Sequence, residues 1–190
     1  MSVAAELPAH AGPWTVADVL AIPEDAARSR HELIDGALVV SPAPALPHQL
    51  ASSRLWQLLA EATSRAGAAV TVYEAVNVQV PAGLVIPDIS VVDNRSDENA
   101  IVLAAADVHL VVEIVSPTST RMDHLVKPSV YAEAGIPAYW RLVLRPAPTL
   151  TTYRLHHDQY IEQTVVPAGR RTELHDPYPL VLDPATLARR

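Results

Sequence analysis

The stretches LVIPDISVVD, residues 84–93, and HLVVEIVS, residues 109–116, each enclose one carboxylate in an apolar run. Continuous apolar runs of this length predict buried β-strands. Because a buried carboxylate is costly without a partner, Asp88 and Glu113 each require a compensating charge or hydrogen bonds. If the two strands are neighbours, both acids converge, and a cation between them would remove their repulsion. A metal ion bound by both acids is the simplest explanation of their burial.

Each acid alone also has a plainer interpretation. A carboxylate that pairs with a buried arginine, or that caps a turn, needs no metal. Asp88 follows a proline, so it could simply end a strand. Two such acids in successive buried strands favour the metal site.

Lys127 is the single lysine among 14 basic residues, and all the others are arginine. A compact ammonium can shift its pKa and lie beside a metal-bound water, a role for which guanidinium is a poor substitute. The alternative is a lysine that remains by chance on a solvated loop. Its position, 14 residues beyond Glu113, favours the functional role.

Patterns around the two runs predict a mixed α/β domain over residues 1–190, with a core of about 15–182. Helices are predicted from an N-cap at Thr15 to Pro23, from His48 to Ala66, and from Ser129 to Gly135. The other predicted strands are Glu32–Ile34, Ala37–Val40, VTVYEAVNVQV at 70–80, and a C-terminal meander of AYWRLVL at 138–144, TLTTYRLHH at 149–157 and QYIEQTVV at 159–166.

The composition limits the metal sites that the chain can contain and its expected location. The chain has no cysteine, so any metal must be held by oxygen or imidazole ligands. Its 8 histidines show no H-x-x-x-H spacing, which disfavours zinc. No apolar run is long enough to span a membrane, and the first residues lack the pattern of a signal peptide. We therefore expect a cytoplasmic protein with no membrane partner.

The charge distribution bears on nucleic-acid binding. A formal net charge of −7 is unlike that of a duplex-binding protein. However, residues 1–140 carry 7 basic and 16 acidic side chains, whereas residues 141–190 carry 7 arginines and 5 acids. A basic edge can thus lie beside an acidic centre that attracts a metal.

An ordered series of motifs resembles the Uma-two family of endonucleases. The motifs are HELIDGALVV at 31–40, PHQLASSRL at 47–55, IPDISVVD at 86–93, LVVEIVSPTST at 110–120, D-x-x-x-K at Asp123 and Lys127, and YAEAGIPAYW at 131–140. The resemblance runs from about Leu20 to the last strand. It implies the PD-(D/E)XK nuclease fold, a central mixed β-sheet flanked by helices, with metal bound by acids on adjacent strands.

The resemblance also implies roles for individual residues. Asp88 corresponds to the aspartate of the PD pair and Glu113 to the acid of the second strand, both as metal ligands. The upstream acid of the family falls on Glu32. The superfamily lysine normally lies two residues after the glutamate, where this chain has Val115, and in Uma-two proteins it is displaced to the position of Lys127.

Three further residues are candidates for contacts with the substrate or for support of the site. Arg121 is the best candidate for a phosphate contact, with a solvated surface arginine as the alternative. Asp123 can pair with Lys127 or cap the following helix. His48 opens the main helix and can touch a phosphate, with an N-terminal cap as the plainer account.

The implied reaction is Mg²⁺-dependent hydrolysis of DNA phosphodiester bonds, in which Mn²⁺ can replace Mg²⁺. Lys127 would orient the attacking water or stabilise charge in the transition state. Two alternatives remain open: an inactive nuclease fold that binds nucleic acid or protein, and a phosphoesterase that acts on small molecules. A homodimer would bring two sites to a duplex.

Overall fold

The computed structural model describes residues 10–23, 28–97, 99–115 and 126–188. The helices are α1 (Val16–Leu20), α2 (Leu46–Arg65), α3 (Lys127–Glu133) and α4 (Ala185–Ala188), and a 3₁₀ turn covers Ala105–Asp107. The strands are β1 (Arg30–Ile34), β2 (Ala37–Ser41), β3 (Val70–Glu74), β4 (Asn77–Val80), β5 (Gly83–Val85), β6 (Ile89–Asp93), β7 (Val102–Ala104), β8 (Val108–Val115), β9 (Ala138–Val143), β10 (Thr149–His156), β11 (Gln159–Pro167), β12 (Thr172–Leu174) and β13 (Leu180–Leu182).

Two mixed sheets form the framework. One has the strand order β2-β1-β5-β4-β7, and the other has the order β11-β10-β9-β8-β6-β3. Strands β8 and β9 run parallel, as do β4 and β7, whereas β6 runs antiparallel to both β3 and β8. The pair β12-β13 is separate. The predicted mixed α/β class is confirmed, with two large sheets in place of one central sheet.

Strand β8 divides the interior because alternate side chains point to opposite faces of the six-stranded sheet. Leu110, Val112 and Ile114 pack with α2 in one apolar core. Val111, on the other face, packs with α3 and with the five-stranded sheet in a second core. Glu113 shares the face of Val111, so its carboxylate points toward α3 and the five-stranded sheet.

Helix α2 follows from the spacing of its apolar residues. Ala51, Leu55, Leu59 and Ala62 are at most 1 % exposed and lie on one side of the helix, against the six-stranded sheet. Pro47 occupies the first turn, where its missing N–H is not needed. The predicted helix is confirmed and begins at Leu46.

The prediction of one strand over residues 70–80 was wrong. The chain breaks at Ala75, which has a φ of 51°, so β3 joins the six-stranded sheet and β4 the five-stranded sheet. The run 84–93 is broken in the same way, into β5 and β6. Asp88 therefore precedes a strand and does not lie within one. The two segments that connect the sheets, between β3 and β4 and between β5 and β6, contact each other. The Ala75 amide donates to the Asp88 carbonyl oxygen at 3.2 Å.

Several other predicted elements are confirmed. The hairpin turns at Asp35 and Gly36, α1 begins after a Thr15 cap, and β9, β10 and β11 form the predicted meander. Helix α3 begins at Lys127 with Pro128 in its first turn. Strands β7, β12 and β13 and helix α4 were not predicted. Within the described ranges, no helix has the length and apolar character needed to cross a membrane.

Candidate active site

A buried ion cluster lies where the two sheets meet. The Nζ atom of Lys127 is 3.0 Å from Oε1 of Glu32 and 3.1 Å from Oε1 of Glu113. All three side chains are nearly inaccessible, with exposures of 3 % for Glu32, 2 % for Glu113 and 6 % for Lys127. One ammonium thus bridges two carboxylates that come from different sheets and offsets one of their two negative charges.

Tyr131, in α3, also contacts Glu113. Its hydroxyl donates a short hydrogen bond to Oε1, the same oxygen that accepts from Lys127. Burial raises the pKa of Tyr131, and the charges of Glu113 and Glu32 raise it further. The phenol therefore keeps its proton and acts as a donor.

Asp88 lies beside this cluster and is held by three donors. Oδ1 accepts from the Arg30 guanidinium at 2.6 Å, and Oδ2 contacts Nε2 of His48 at 3.1 Å and accepts from the Ile114 amide at 2.8 Å. Burial by itself raises the pKa of Asp88, but the hydrogen bonds and charges of His48 and Arg30 outweigh it and lower the pKa to about 2. Asp88 is a carboxylate at neutral pH.

Strand register explains why these residues meet. Ile89 of β6 is paired with Val112 of β8, so Asp88 and Glu113 are neighbours across the two strands. Glu32 approaches from β1, and its Oε1 accepts from the Ile86 amide at 2.7 Å, in the connection between β5 and β6. The structure therefore brings together the four residues Glu32, Asp88, Glu113 and Lys127, while their catalytic roles stay predictions.

The three supporting candidates have different outcomes. Arg121 and Asp123 lie outside the described residues. His48 lies in the first turn of α2, but it is not the helix cap, because the N-cap is Ala45. Its imidazole contacts Asp88 and so supports an acid of the cluster.

Arg30 was missed by the sequence analysis. It is two residues before Glu32 in β1, and residues two apart in a strand share a face. That spacing was the available signal. The pairing of a carboxylate with a partly buried arginine, which the sequence left open for each acid, is the arrangement found at Asp88.

The cluster offers the oxygen ligands that a hard cation such as Mg²⁺ takes. Among the described residues, however, no three acidic or imidazole side chains are arranged to hold a metal ion. Lys127 lies between Glu32 and Glu113, and Arg30 and His48 hold Asp88. The donor chemistry fits a divalent cation, but Lys127 and Arg30 already contact the three carboxylates that would hold it.

Comparisons with known proteins agree with this architecture. The crystal structure of a protein from Anabaena variabilis, described as a putative nuclease belonging to DUF820, superposes with a TM-score of 0.67 at 18 % sequence identity, over 93 % of this chain and 92 % of that chain. At this identity the likeness shows the fold. No curated protein matches the chain. The model of the Uma2 family, described as "Putative restriction endonuclease", matches residues 16–187, and the chain belongs to this family.

Proposed function

We propose that this chain is a metal-dependent endonuclease that hydrolyses DNA phosphodiester bonds at Glu32, Asp88, Glu113 and Lys127. The observation that carries the proposal is the buried Lys127 ammonium between Glu32 and Glu113, of which Glu113 is the cross-strand neighbour of Asp88. Membership of an endonuclease family and the fold shared with a nuclease support this class of chemistry.

The acids and the lysine have separable roles in this proposal. Asp88 and Glu113, assisted by Glu32, would hold the cation. A bound divalent cation polarises a phosphoryl oxygen and lowers the pKa of a water. In hydrolysis, the water oxygen forms a bond to phosphorus while the bond to the leaving oxygen breaks; the water releases one proton to solvent, and the leaving oxygen takes one from solvent. Negative charge develops on the phosphoryl oxygens, and the Lys127 ammonium donates to them.

The ion pairs of Lys127 prepare it for this role. Two carboxylates hold the ammonium at a fixed point, so it needs little reorganisation when a phosphate arrives. Tyr131 fixes the shared oxygen of Glu113 and thereby limits its movement. A phosphate that enters exchanges one carboxylate contact of Lys127 for a contact of equal charge.

The test is cleavage of labelled single-stranded and duplex DNA with Mg²⁺, with Mn²⁺, and with chelator. Wild type is compared with Asp88→Asn, Glu113→Gln and Lys127→Met. The matched controls are Asp93→Asn, at the other end of β6, and Glu173→Gln, on the separate pair β12-β13. We expect metal-dependent products that fall by at least about a hundredfold in the three site variants.

Metal binding is measured separately from cleavage by the melting temperature. A cation that binds only the native state stabilises it by roughly 2.7 kcal/mol at a hundred times its Kd. Mg²⁺ should therefore raise the melting temperature of the wild type and of Asp93→Asn, but not of Asp88→Asn. No cleavage of any DNA, together with no thermal shift, would reject the proposed activity.

A non-catalytic nuclease fold that binds nucleic acid or protein is the second candidate. The observation that favours it is that Lys127 and Arg30 already pair with all three acids without a metal. This function predicts DNA or protein binding that is indifferent to chelator and to Asp88→Asn.

A further inference from the structure

A cavity of about 620 Å³ lies beside the cluster, between α3 and the meander β9-β10-β11. The residues that define its chemistry are Glu133, Tyr139, Arg141, Tyr153, Asp158 and Tyr160. Its volume falls within the range typical of small-molecule sites, roughly 300–1,000 Å³. The proposed hydrolysis does not use any of these side chains.

One wall of the cavity is aromatic. The ring centroid of Tyr139 is 5.3 Å from that of Tyr153, with an interplanar angle of 22°, and 5.4 Å from that of Tyr160. The Tyr160 hydroxyl donates to the Ile136 carbonyl oxygen at 2.7 Å, which fixes that ring. Rings held in this way provide a flat surface on which another planar group can stack.

Arg141 provides an unused donor next to that wall. Its Cζ atom lies 5.3 Å from the centre of the Tyr153 ring. Among the described residues, its buried Nε atom has no hydrogen-bond partner. A buried donor without an acceptor is costly, so the site favours a ligand that carries one.

The cavity lies next to the candidate active site. Arg141 of β9 is paired with Glu113 of β8, and neighbouring strands are about 4.8 Å apart. The Tyr131 hydroxyl donates to Glu113, and the Tyr131 ring centroid is 6.1 Å from that of Tyr139. A nucleotide bound in the cavity would therefore lie about one strand away from Glu113.

We propose that this cavity binds one unpaired nucleobase of the substrate, next to the phosphate that is cleaved. The base stacks on Tyr153, Arg141 donates to an oxygen of the same nucleotide, and Glu133 or Asp158 accepts from an N–H group of the base. The inference rests on the proposed function. Because both faces of a base in a duplex are already stacked, the base must come from single-stranded or locally opened DNA.

The experiment compares two fluorescein-labelled oligomers in chelator, so that no cleavage occurs. One is twelve thymidine nucleotides, and the other is an abasic chain with the same number of phosphates. Anisotropy titrations measure each dissociation constant. We expect the wild type to prefer the thymidine oligomer by roughly 5- to 150-fold, the contribution of one stacked base.

Variants assign that preference to the cavity. Tyr153→Leu should abolish the preference, whereas Arg141→Gln should weaken the binding of both oligomers by on the order of tenfold or more. The matched controls are Tyr73→Leu, on the edge strand β3, and Arg170→Gln, on an exposed loop. Both controls should leave the two dissociation constants within about twofold of the wild type.

The outcomes separate the inference from the proposed function. A Tyr153-dependent base preference without metal-dependent cleavage supports base binding in the cavity and rejects the nuclease activity. Metal-dependent cleavage with no base preference, or with a preference that Tyr153→Leu leaves intact, rejects the inference alone. If Tyr153→Leu fails to fold, the wild-type comparison of the two oligomers decides, because equal dissociation constants reject the inference. Tyr153-dependent binding of a trimethyl-lysine peptide in place of the thymidine oligomer would also reject it, because tyrosines beside acids also bind cations.

Discussion

Lys127 is the proposed catalytic cation and also the counter-ion of two buried acids. Its ammonium contacts Glu32 and Glu113, and few other groups in that place could satisfy both oxygens at once. Arginine is bulkier and planar, so Lys127→Arg cannot reproduce the two contacts at 3.0 and 3.1 Å without displacing Tyr131. The residue therefore links stability with the proposed chemistry.

Replacing this lysine should be strongly destabilising. Lys127→Met leaves two buried carboxylates facing each other, and removing one partner of a buried ion pair costs about 3–5 kcal/mol. Urea denaturation of the wild type and the variant measures the loss. The double variant Glu113→Gln, Lys127→Met should lose less than the sum of the two single losses, because it removes a charge that Lys127→Met leaves unpaired. A loss below about 1 kcal/mol would contradict the burial of this network.

Asp88 gives the protein a defined sensitivity to acid. Its pKa falls from an ordinary value of 3.8 to about 2 in the folded chain. A lowered folded pKa stabilises the native state above pH 3.8, and that contribution is lost as the pH falls through this range toward 2. Asp88 should contribute roughly 2 kcal/mol at neutral pH.

Denaturant titrations in chelator at several pH values test this contribution. Between about pH 4 and pH 2, the wild type should lose stability more steeply than Asp88→Asn, because the variant has no titrating side chain at position 88. Asp93→Asn serves as the control for a surface ion pair, since Asp93 contacts the exposed Arg95. Parallel curves for the wild type and Asp88→Asn would show that Arg30 and His48 do not lower this pKa.

At the scale of elements, Gly83 sets the position of the strand that carries Glu32. It lies in β5 with a φ of 141°, and a Cβ atom built there collides with the backbone oxygen of Leu33 in β1. Leu33 directly follows Glu32. Any movement of β1 at this point therefore shifts an acid of the cluster.

Gly83→Ala should destabilise the protein by more than about 2 kcal/mol, because backbone must move and the φ is unfavourable for alanine. Gly169→Ala is the control: its φ is 82°, and a Cβ there meets nothing within 4 Å. It should cost only the backbone strain, about 1 kcal/mol. Equal losses in thermal or urea unfolding would show that β1 and β5 can separate at no cost.

The elements also show how far the sequence is informative. Apolar spacing predicted α2, and alternation with turn residues predicted the β1-β2 hairpin and the meander, because these patterns record burial directly. The switch between sheets at Ala75 left no such signal. Alanine at a positive φ is unfavourable by itself, and only the hydrogen bond to the Asp88 carbonyl and the pairing of both sheets maintain it.

The same reasoning applies to the cluster. The cost of burying charge predicted that Asp88 and Glu113 need partners, and the isolated lysine pointed to Lys127. The identity of the partners was not accessible, because Arg30 and His48 reach Asp88 from elements 58 and 40 residues away in sequence. Local sequence patterns show which charged residues would be costly to bury, whereas tertiary packing determines which partners offset that cost.

At the scale of the whole molecule, net charge limits how DNA can be bound. The chain carries a formal charge of −7. Affinity for DNA falls with salt in proportion to the number of phosphates contacted, by a slope of about −0.9 per contact on a duplex and −0.7 on a single strand. Among the residues that the structure describes, few cations border the cluster and the adjoining cavity, so we expect these contacts to be few.

We therefore expect a shallow salt dependence. In chelator, the slope of log affinity against log KCl for the thymidine oligomer should be no steeper than about −2, which corresponds to roughly three phosphates. Anisotropy titrations at several KCl concentrations measure it, and Arg141→Gln should reduce the slope by roughly one contact. A slope of −5 or steeper would require an extended basic surface elsewhere on the molecule.

The ion pairs of the acids also bear on whether the chain can fold before it binds a metal. A site made of unpaired carboxylates would need its metal before it could fold, as structural zinc domains do. Here Lys127 and Arg30 supply the compensating charge from within the chain. Newly synthesised molecules can therefore accumulate in a folded, latent state under metal-poor conditions. Under the proposed function, a later rise in free divalent cation would activate an existing pool of enzyme, with no new synthesis or refolding.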